Sequence, residues 1–385
     1  MKRSTVTIPC VYMRTGTSKS VYFHKKDLPE DTALRDKYLL AVMGSPDIRQ
    51  IDGMGGGDVS TSKVAIIAKA DSADYDIEYT FGQVSLKDAK IDYAGNCGNC
   101  SSGVGPFAID EGLIAADGPV TTVRIFNTNT RRLLIAHVRT ENGAAAIDGD
   151  CEIDGVPGAW APIDLDFRDT VGATTGKLFP TGARTDVLEV PEIGDIAVTI
   201  ADLGNPVVFF PAAELGATGY ESRPEINGNE SLMTRIEAVR QKAAEAIGLV
   251  RPGEIARQVS SMKPLVVMFA GSQDYKDYVT GNEILAKNMD FSARNIMNQS
   301  CIDTFAATAA LCTGVVARIP GTVLHVAALA SVREGSKEIV AIGQSRGVSE
   351  VAVAVTEKDG EIRVAQAIMQ RTARRILKGE VYIQV

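Results

Sequence analysis

The spacing of apolar and polar residues changes period several times along this chain, and each change marks an element. Residues 5–14 read as a strand ending in Arg14, followed by a polar turn, Thr15-Gly16-Thr17-Ser18-Lys19, and a second strand over 20–24. Residues 31–43 place Leu34, Tyr38, Leu39 and Val42 on one side at helical spacing. Apolar strands are predicted over 64–68, 121–127 and 133–139, the last two joined by a polar connection over 128–132. The stretch 141–186 is rich in Gly, Asp and Pro with short apolar runs, which suits loops and edge strands. Strands resume over 187–190 and 196–202, and 232–247 carries Ile236, Val239, Ala243 and Ile247 on one helical face. Two further segments are apolar without a polar face. One follows Cys97 and includes 107–114; the other is read as a helix over 301–317.

A weak repeat relates the two parts of the chain. Gly16-Thr17-Ser18-Lys19-Ser20-Val21-Tyr22-Phe23 resembles Gly204-Asn205-Pro206-Val207-Val208-Phe209-Phe210 with one residue deleted. Each is followed by an acidic residue and leucine, Asp27-Leu28 and Glu214-Leu215. The pattern predicts an α+β chain of two similar domains, each a β-sheet or barrel wrapped around a central apolar helix. The domains are drawn at 1–185 and 186–385, with the final residues free to pack back on the first.

Composition narrows the function. The 385 residues are 45% hydrophobic and 23% charged, values of a globular protein long enough for two cores. The net charge of −8 is spread without long acidic runs, which argues against a nucleic-acid partner but not against a local cationic pocket. Six cysteines in this length form no disulfide framework, so a reducing cytoplasm is expected. The stretch Met1-Lys2-Arg3-Ser4-Thr5-Val6-Thr7 lacks the apolar core of a signal peptide, and nothing reaches the length of a membrane span.

Two motifs carry candidate chemistry. The loop Ile51-Asp52-Gly53-Met54-Gly55-Gly56-Gly57-Asp58 fails as a P-loop because no G-K-[ST] follows at the required spacing. It leads instead into Ser60-Thr61-Ser62-Lys63, where hydroxyls and one lysine suit a carboxylate. The second motif is Asn96-Cys97-Gly98-Asn99-Cys100-Ser101-Ser102-Gly103. Asn, Gly and Ser suit a turn and helix cap, and the free N–H groups of a helix's first turn favour anions and lower the pKa of a thiol among them. A lone cysteine is more often a small buried hydrophobe. Cys97 and Cys100 also read as a C-x-x-C pair, with a dithiol switch as one meaning. Structural zinc is not supported, since His24, His137 and His325 lie far apart and no second C-x-x-C exists. On residues alone, Cys97 stays ambiguous.

Taken together, the motifs resemble the PrpF family of isomerases. They are Met13-Arg14-x-Gly16-Thr17-Ser18-Lys19, Gln50-Ile51-Asp52-Gly53-Met54-Gly55-Gly56, Thr61-Ser62-Lys63, Asn96-Cys97-Gly98-Asn99 and Val104-Gly105-Pro106-Phe107-Ala108-Ile109. Further along come Phe179-Pro180-Thr181-Gly182, Asp186-Val187-Leu188-Glu189-Val190-Pro191, Ile319-Pro320-Gly321-Thr322 and Arg371-Thr372-Ala373-Arg374. The resemblance spans nearly the whole chain. It implies a diaminopimelate-epimerase-like fold and a proton-transfer double-bond shift or cis–trans isomerisation in a small unsaturated di- or tricarboxylate of the methylitaconate, methylaconitate or oxalomesaconate type. It implies Lys63 and Cys97 as the catalytic pair. Substrate contacts are expected from Thr17, Ser18, Lys19, Ser62, Asn96, Gly98, Asn99 and Arg294. No metal or organic cofactor is implied, and a homo-oligomer is compatible. Several positions depart from the family pattern: Thr15 and Ser20 stand where glycines are common, Cys100 replaces a residue that is usually not a thiol, and Ile296-Met297-Asn298-Gln299-Ser300 lacks the Ser-Met-Gly run often seen there.

An allylic shift removes a proton beside a carboxylate and returns one two carbons away, and N–H donors at a helix terminus stabilise the charge between. Which of Lys63 and Cys97 is base and which acid is open at this level. So are an amino-acid epimerase on the same fold, with Cys301 as second thiol, a non-catalytic carboxylate-binding accessory protein, and a Cys97–Cys100 redox protein. Helix termini near Cys97 and Cys301 are expected to suit carboxylates at both ends of a substrate.

Overall fold

The computed structural model describes residues 5–335 and 337–384. The reading of the N-terminal stretch therefore falls partly outside them, since residues 1–4 are not described. The chain divides into two compact units, Met1–Leu165 with Arg371–Val385, and Asp166–Gln370. The division lies upstream of the one drawn from the sequence at 185/186. Among the described residues no helix is long and apolar enough to cross a membrane.

The first unit is a sheet curled around one helix. Strand Thr5–Thr15 pairs antiparallel with Ser18–His24 and with the C-terminal strand Ala373–Gln384. Ser18–His24 then runs parallel to Lys63–Lys69, which pairs antiparallel with Ile77–Val84. That strand lies parallel to Val120–Asn127, which closes antiparallel on Arg132–Glu141. Alternation along each strand separates two faces. Val21, Phe23, Val64, Ile66 and Val84 face outward, against Leu39, Val42 and Met43 of helix Thr32–Met43. Ser20, Tyr22, Lys63, Phe81 and Gln83 occupy the alternate positions, on the face that holds the central helix Gly98–Asp110. Tyr22 illustrates this: its hydroxyl donates to the Cys100 carbonyl and its ring lies 5.6 Å from Phe107.

That central helix is buried from Gly98 to Ile109. It starts earlier than the apolar run 107–114 indicates, and it carries Pro106 in its interior, a residue that ordinarily costs about 3 kcal/mol there. Enclosure by the strands overrides this poor propensity.

The second unit repeats the plan. Gly194–Leu203 pairs antiparallel with Asn205–Pro211, which runs parallel to Leu265–Ala270. Phe291–Met297 follows antiparallel, then Ile339–Gln344 parallel to it and Gly347–Lys358 antiparallel to that. The central helix is Ala307–Ala317, buried along its whole length. The sequence reading began this helix at Cys301, but Cys301 ends the short strand Ser300–Cys301 and the N-cap is Ala306. Helix Glu230–Ala246 covers the outer face through Leu232, Ile236, Val239 and Ala243. The weak repeat is real geometry: Gly16 and Gly204 both have positive φ, 51° and 74°, ahead of equivalent strands, and short 3-10 turns follow at Lys25–Asp27 and Ala212–Leu215.

Each central helix is approached closely at glycine, the first at both Gly103 and Gly105 and the second at Gly314. A Cβ on Gly103 would sit 2.5 Å from Thr15 Cγ2 and 2.5 Å from Tyr22 Oη; one on Gly314 would sit 2.6 Å from Val351 Cγ2. Alanine at a helical glycine gains roughly 1 kcal/mol of propensity, whereas overpacking costs about 1–3 kcal/mol. Both Gly103→Ala and Gly314→Ala are therefore expected to lower the denaturant midpoint. A higher midpoint in either variant would mean the strands do not close on the helix as described.

Candidate active site

The first central helix is capped by sulfur. Cys97 has extended φ/ψ, −109° and 105°, and its Sγ accepts the N–H of Cys100 at 3.4 Å, while its carbonyl accepts from Ser101 N at 2.9 Å. A thiolate is the better acceptor at such a cap, because the first-turn N–H groups carry partial positive charge. The Cys97 thiol is accordingly lowered from 9.0 to about 6. The largest cause is the hydrogen bond from the Cys100 thiol, followed by the positive charge of Lys63 and the N–H groups of Cys100 and Asn99, all acting against burial. Cys100 is pushed the other way, well above the ordinary thiol range, by burial and by the neighbouring Cys97 sulfur. The two thiols are thus shifted in opposite directions.

Lys63 begins the strand Lys63–Lys69 and is only 2% exposed. Its Nζ donates to Gln83 Oε1, directly across the strand pair, and lies 5.3 Å from the centroid of Phe81. The residue before it, Ser62, is fully buried, and its Oγ accepts from Gln50 Nε2 at 2.6 Å. Gln50 in turn accepts the Gly57 N–H at 3.1 Å, and a Cβ on Gly55 would lie 2.1 Å from its Oε1. The glycine loop therefore wraps a glutamine that orients Ser62, rather than opening directly onto a ligand.

Asn99 ties the helix start to the first turn of the chain. Its Nδ2 donates to Thr17 Oγ1 at 2.9 Å and Ser18 Oγ at 3.4 Å, and its Oδ1 accepts from Arg371 Nε at 3.0 Å. Gly16 permits this contact, because a Cβ there would lie 2.4 Å from Asn99 Oδ1. Asn96 Oδ1 accepts from Ser101 Oγ and Asn127 Nδ2, each at 3.2 Å. Cys97, Gly98, Asn99, Asn96, Thr17 and Ser18 thus gather at one helix end, and the charge of Lys63 reaches Cys97 there.

Lys19 and Arg294 each have partners within their own unit. Lys19 projects from the opposite face of its strand, with Nζ 5.6 Å from the Tyr12 ring centroid. Arg294 belongs to the second unit, where Nε donates to the Glu221 carbonyl at 2.6 Å and Nη1 to Ala293 O and Ser292 Oγ, beside Tyr275. The neighbouring Asn295, on the alternate face, accepts from Ala306 N at the start of the second central helix. Cys301, the expected second thiol, is not at that start. It is fully buried, accepts nothing from the helix, and is raised to about 12 by desolvation. The position matching the Cys97 cap is Ala306, followed by Ala307, Thr308 and Ala309. Among the described residues no cluster of three or more His, Cys, Asp or Glu could hold a metal.

Sequence reasoning passed over Gln50, Gln83 and Arg371 as site residues. Arg371 is fully enclosed; burial lowers its guanidinium to about 10 against the negative pull of Cys151 and Cys97. Two of the departures from the family pattern turn out to meet: Ser20 Oγ lies 2.8 Å from Cys100 Sγ. The asymmetry of the thiols is directly measurable by thiolate absorbance. The parent is expected to titrate one thiolate near pH 6. Cys100→Ala should move that midpoint up toward the ordinary thiol range, while Cys100→Ser, which keeps a donor, should leave it lower. An unchanged midpoint in Cys100→Ala would remove Cys100 as the source of the shift.

Comparison with known proteins agrees in sequence and in shape. The family model described as PrpF protein matches residues 5–384. A 3-methylitaconate isomerase of Eubacterium barkeri is 47% identical over 377 residues, covering 98% of this chain and 97% of that one. A (4E)-oxalomesaconate Delta-isomerase of Novosphingobium sp. (strain KA1) is 39% identical over 381 residues, covering 99% of each. The crystal structure of a methylitaconate-delta-isomerase superposes with a TM-score of 0.80 at 46% identity, covering 99% of this chain and 96% of that one. A hydroxyproline epimerase from Agrobacterium vitis, at 13% identity and TM-score 0.55 over 98% and 93% of the two chains, shares the epimerase-like fold alone. With a family model matched from residue 5 to residue 384 and relatives aligned end to end, the chain belongs to the PrpF family.

Proposed function

We propose that this isomerase moves a double bond within a small unsaturated di- or tricarboxylate, using Cys97 as base and Lys63 as acid. The observation that carries the roles is the charge asymmetry at the first central helix: a capped sulfur lowered to about 6, facing the positive charge of Lys63. The substrate class is supported by the relatives named as methylitaconate and oxalomesaconate isomerases.

The chemistry follows from the groups present. The Cys97 thiolate takes a proton from the allylic carbon and becomes a thiol. The electron pair left on carbon delocalises onto the adjacent carboxylate, whose oxygens are suited to N–H donors at the helix start and to the hydroxyls of Thr17 and Ser18. The Lys63 ammonium then gives a proton to the carbon two positions away, and the double bond settles in its new place. Transfer of the proton from the Cys97 thiol to the Lys63 amine resets both groups. A two-thiol epimerase is the weaker reading, because Ala306 stands where its second thiol would cap a helix. All six cysteines are free thiols, which suits the reducing cytoplasm that a working Cys97 requires.

Three outcomes are expected. Incubated in deuterated water with a panel of methylitaconate-, methylaconitate- and oxalomesaconate-type acids, the protein should convert at least one while introducing deuterium, as read by NMR. Its rate should rise with pH through about 6, since the thiolate is the active form and an ordinary thiol would place that limb more than two units higher. Lys63→Met should fold and lose at least about a thousandfold in turnover, or about 4 kcal/mol of barrier. Turnover within about tenfold of the parent would exclude Lys63 as a proton carrier.

A further inference from the structure

The Lys63 amine is held by a side chain whose own orientation admits no alternative. Gln83 is 1% exposed and sits opposite Lys63 in the antiparallel register of strands Lys63–Lys69 and Ile77–Val84. Its Nε2 donates twice, to the Ser62 carbonyl at 2.9 Å and to the Val59 carbonyl at 3.2 Å. Both partners are acceptors only, so the amide cannot flip without setting its oxygen against two carbonyl oxygens. Oε1 must therefore face the other way, where Lys63 Nζ donates to it. The two carbonyls come from Val59, which opens the turn Val59–Thr61, and Ser62, which ends it immediately before Lys63.

We propose that Gln83 is a positioning residue for the reaction: it fixes one N–H of Lys63 in either protonation state and so directs the remaining N–H groups, or the lone pair, toward the reacting carbon. Phe81, 5.3 Å from Nζ, packs beside the same amine. A flexible four-carbon side chain otherwise loses rotamer freedom only when substrate binds, and misplacement of a proton donor by about 1 Å can cost a hundredfold in rate. A neutral amide suits this task better than a carboxylate, which would hold the lysine proton against transfer. The inference rests on the reading of Lys63 as the proton donor.

Gln83→Met keeps length and volume but offers Lys63 no comparable acceptor. Expected is a drop in kcat of about ten- to a hundredfold with KM within about threefold of the parent, together with a lowered thermal midpoint, since Met leaves the Val59 and Ser62 carbonyls without this donor. A double-mutant cycle separates positioning from structure. In a Lys63→Met background, Gln83→Met should cost less than about twofold, because the group it positions is gone. An equal loss in both backgrounds, or a loss carried wholly by KM, would make Gln83 a structural or substrate-contacting residue and overturn the proposal. So would full activity in Gln83→Met. If Gln83→Met does not fold, Gln83→Leu is measured in the same cycle, read against the same limits. The two readings fail separately: Lys63→Met near parental rate overturns the role of Lys63, whereas an inactive Lys63→Met with a fully active Gln83→Met overturns only that of Gln83.

Discussion

The capping of one buried helix by a sulfur atom is the constraint on which the proposed chemistry of this protein depends. A hydroxyl or carboxylate at an N-cap would satisfy the same N–H groups. A thiol there does more, because the hydrogen bonds that cap the helix are also the ones that stabilise the thiolate. Burial alone would push Cys97 upward, as it does Cys301 and Cys312. The difference between these three cysteines is not exposure but what points at the sulfur. Cys97 receives N–H and S–H donors together with a neighbouring cation, whereas Cys301 and Cys312 donate to carbonyl oxygens, and neither the arginines near Cys301 nor the Leu203 N–H at Cys312 offsets burial.

The sheet makes that cap dependable. Strand alternation puts Ser20, Lys63 and Gln83 on the helix side and the aliphatic residues on the other, where Thr32–Met43 covers them. A slip of one residue in the Lys63–Gln83 register would send Lys63 to the outer layer and bury an unpaired cation among aliphatic side chains. Register and the proposed catalytic geometry are therefore specified together. The second unit uses the same plan without a thiol at its cap, so the duplicated architecture carries the proposed proton chemistry in only one of its halves.

Much of this was legible in the sequence. The strands near 5–14, 64–68, 121–127 and 196–202 and the helix near 232–247 come directly from period and β-branched content. The turn before Ser18 and its counterpart before Asn205 show in the repeat, since glycine at positive φ leaves a trace even where the flanking residues diverge. The central helices were harder. Gly98-Asn99-Cys100-Ser101-Ser102-Gly103 has the composition of a turn, and it is helical because a sheet encloses it. The start of the second helix was misread for the converse reason: Cys301 is apolar enough to extend the pattern, yet Ala306 begins the helix. Gln83 left no signal, because its role arises from a cross-strand register spanning twenty residues and from two backbone carbonyls that no motif records.

The proton roles assigned to Cys97 and Lys63 are tested most directly by hydrogen exchange uncoupled from isomerisation. Substrate deuterated at the allylic carbon is incubated in ordinary water with Lys63→Met and with Cys97→Ala, and the loss of deuterium is followed by NMR. If Cys97 is the base, Lys63→Met should still wash deuterium out of the substrate while forming almost no product, and Cys97→Ala should do neither. Washout that survives in Cys97→Ala and vanishes in Lys63→Met would contradict the account and reverse the two roles.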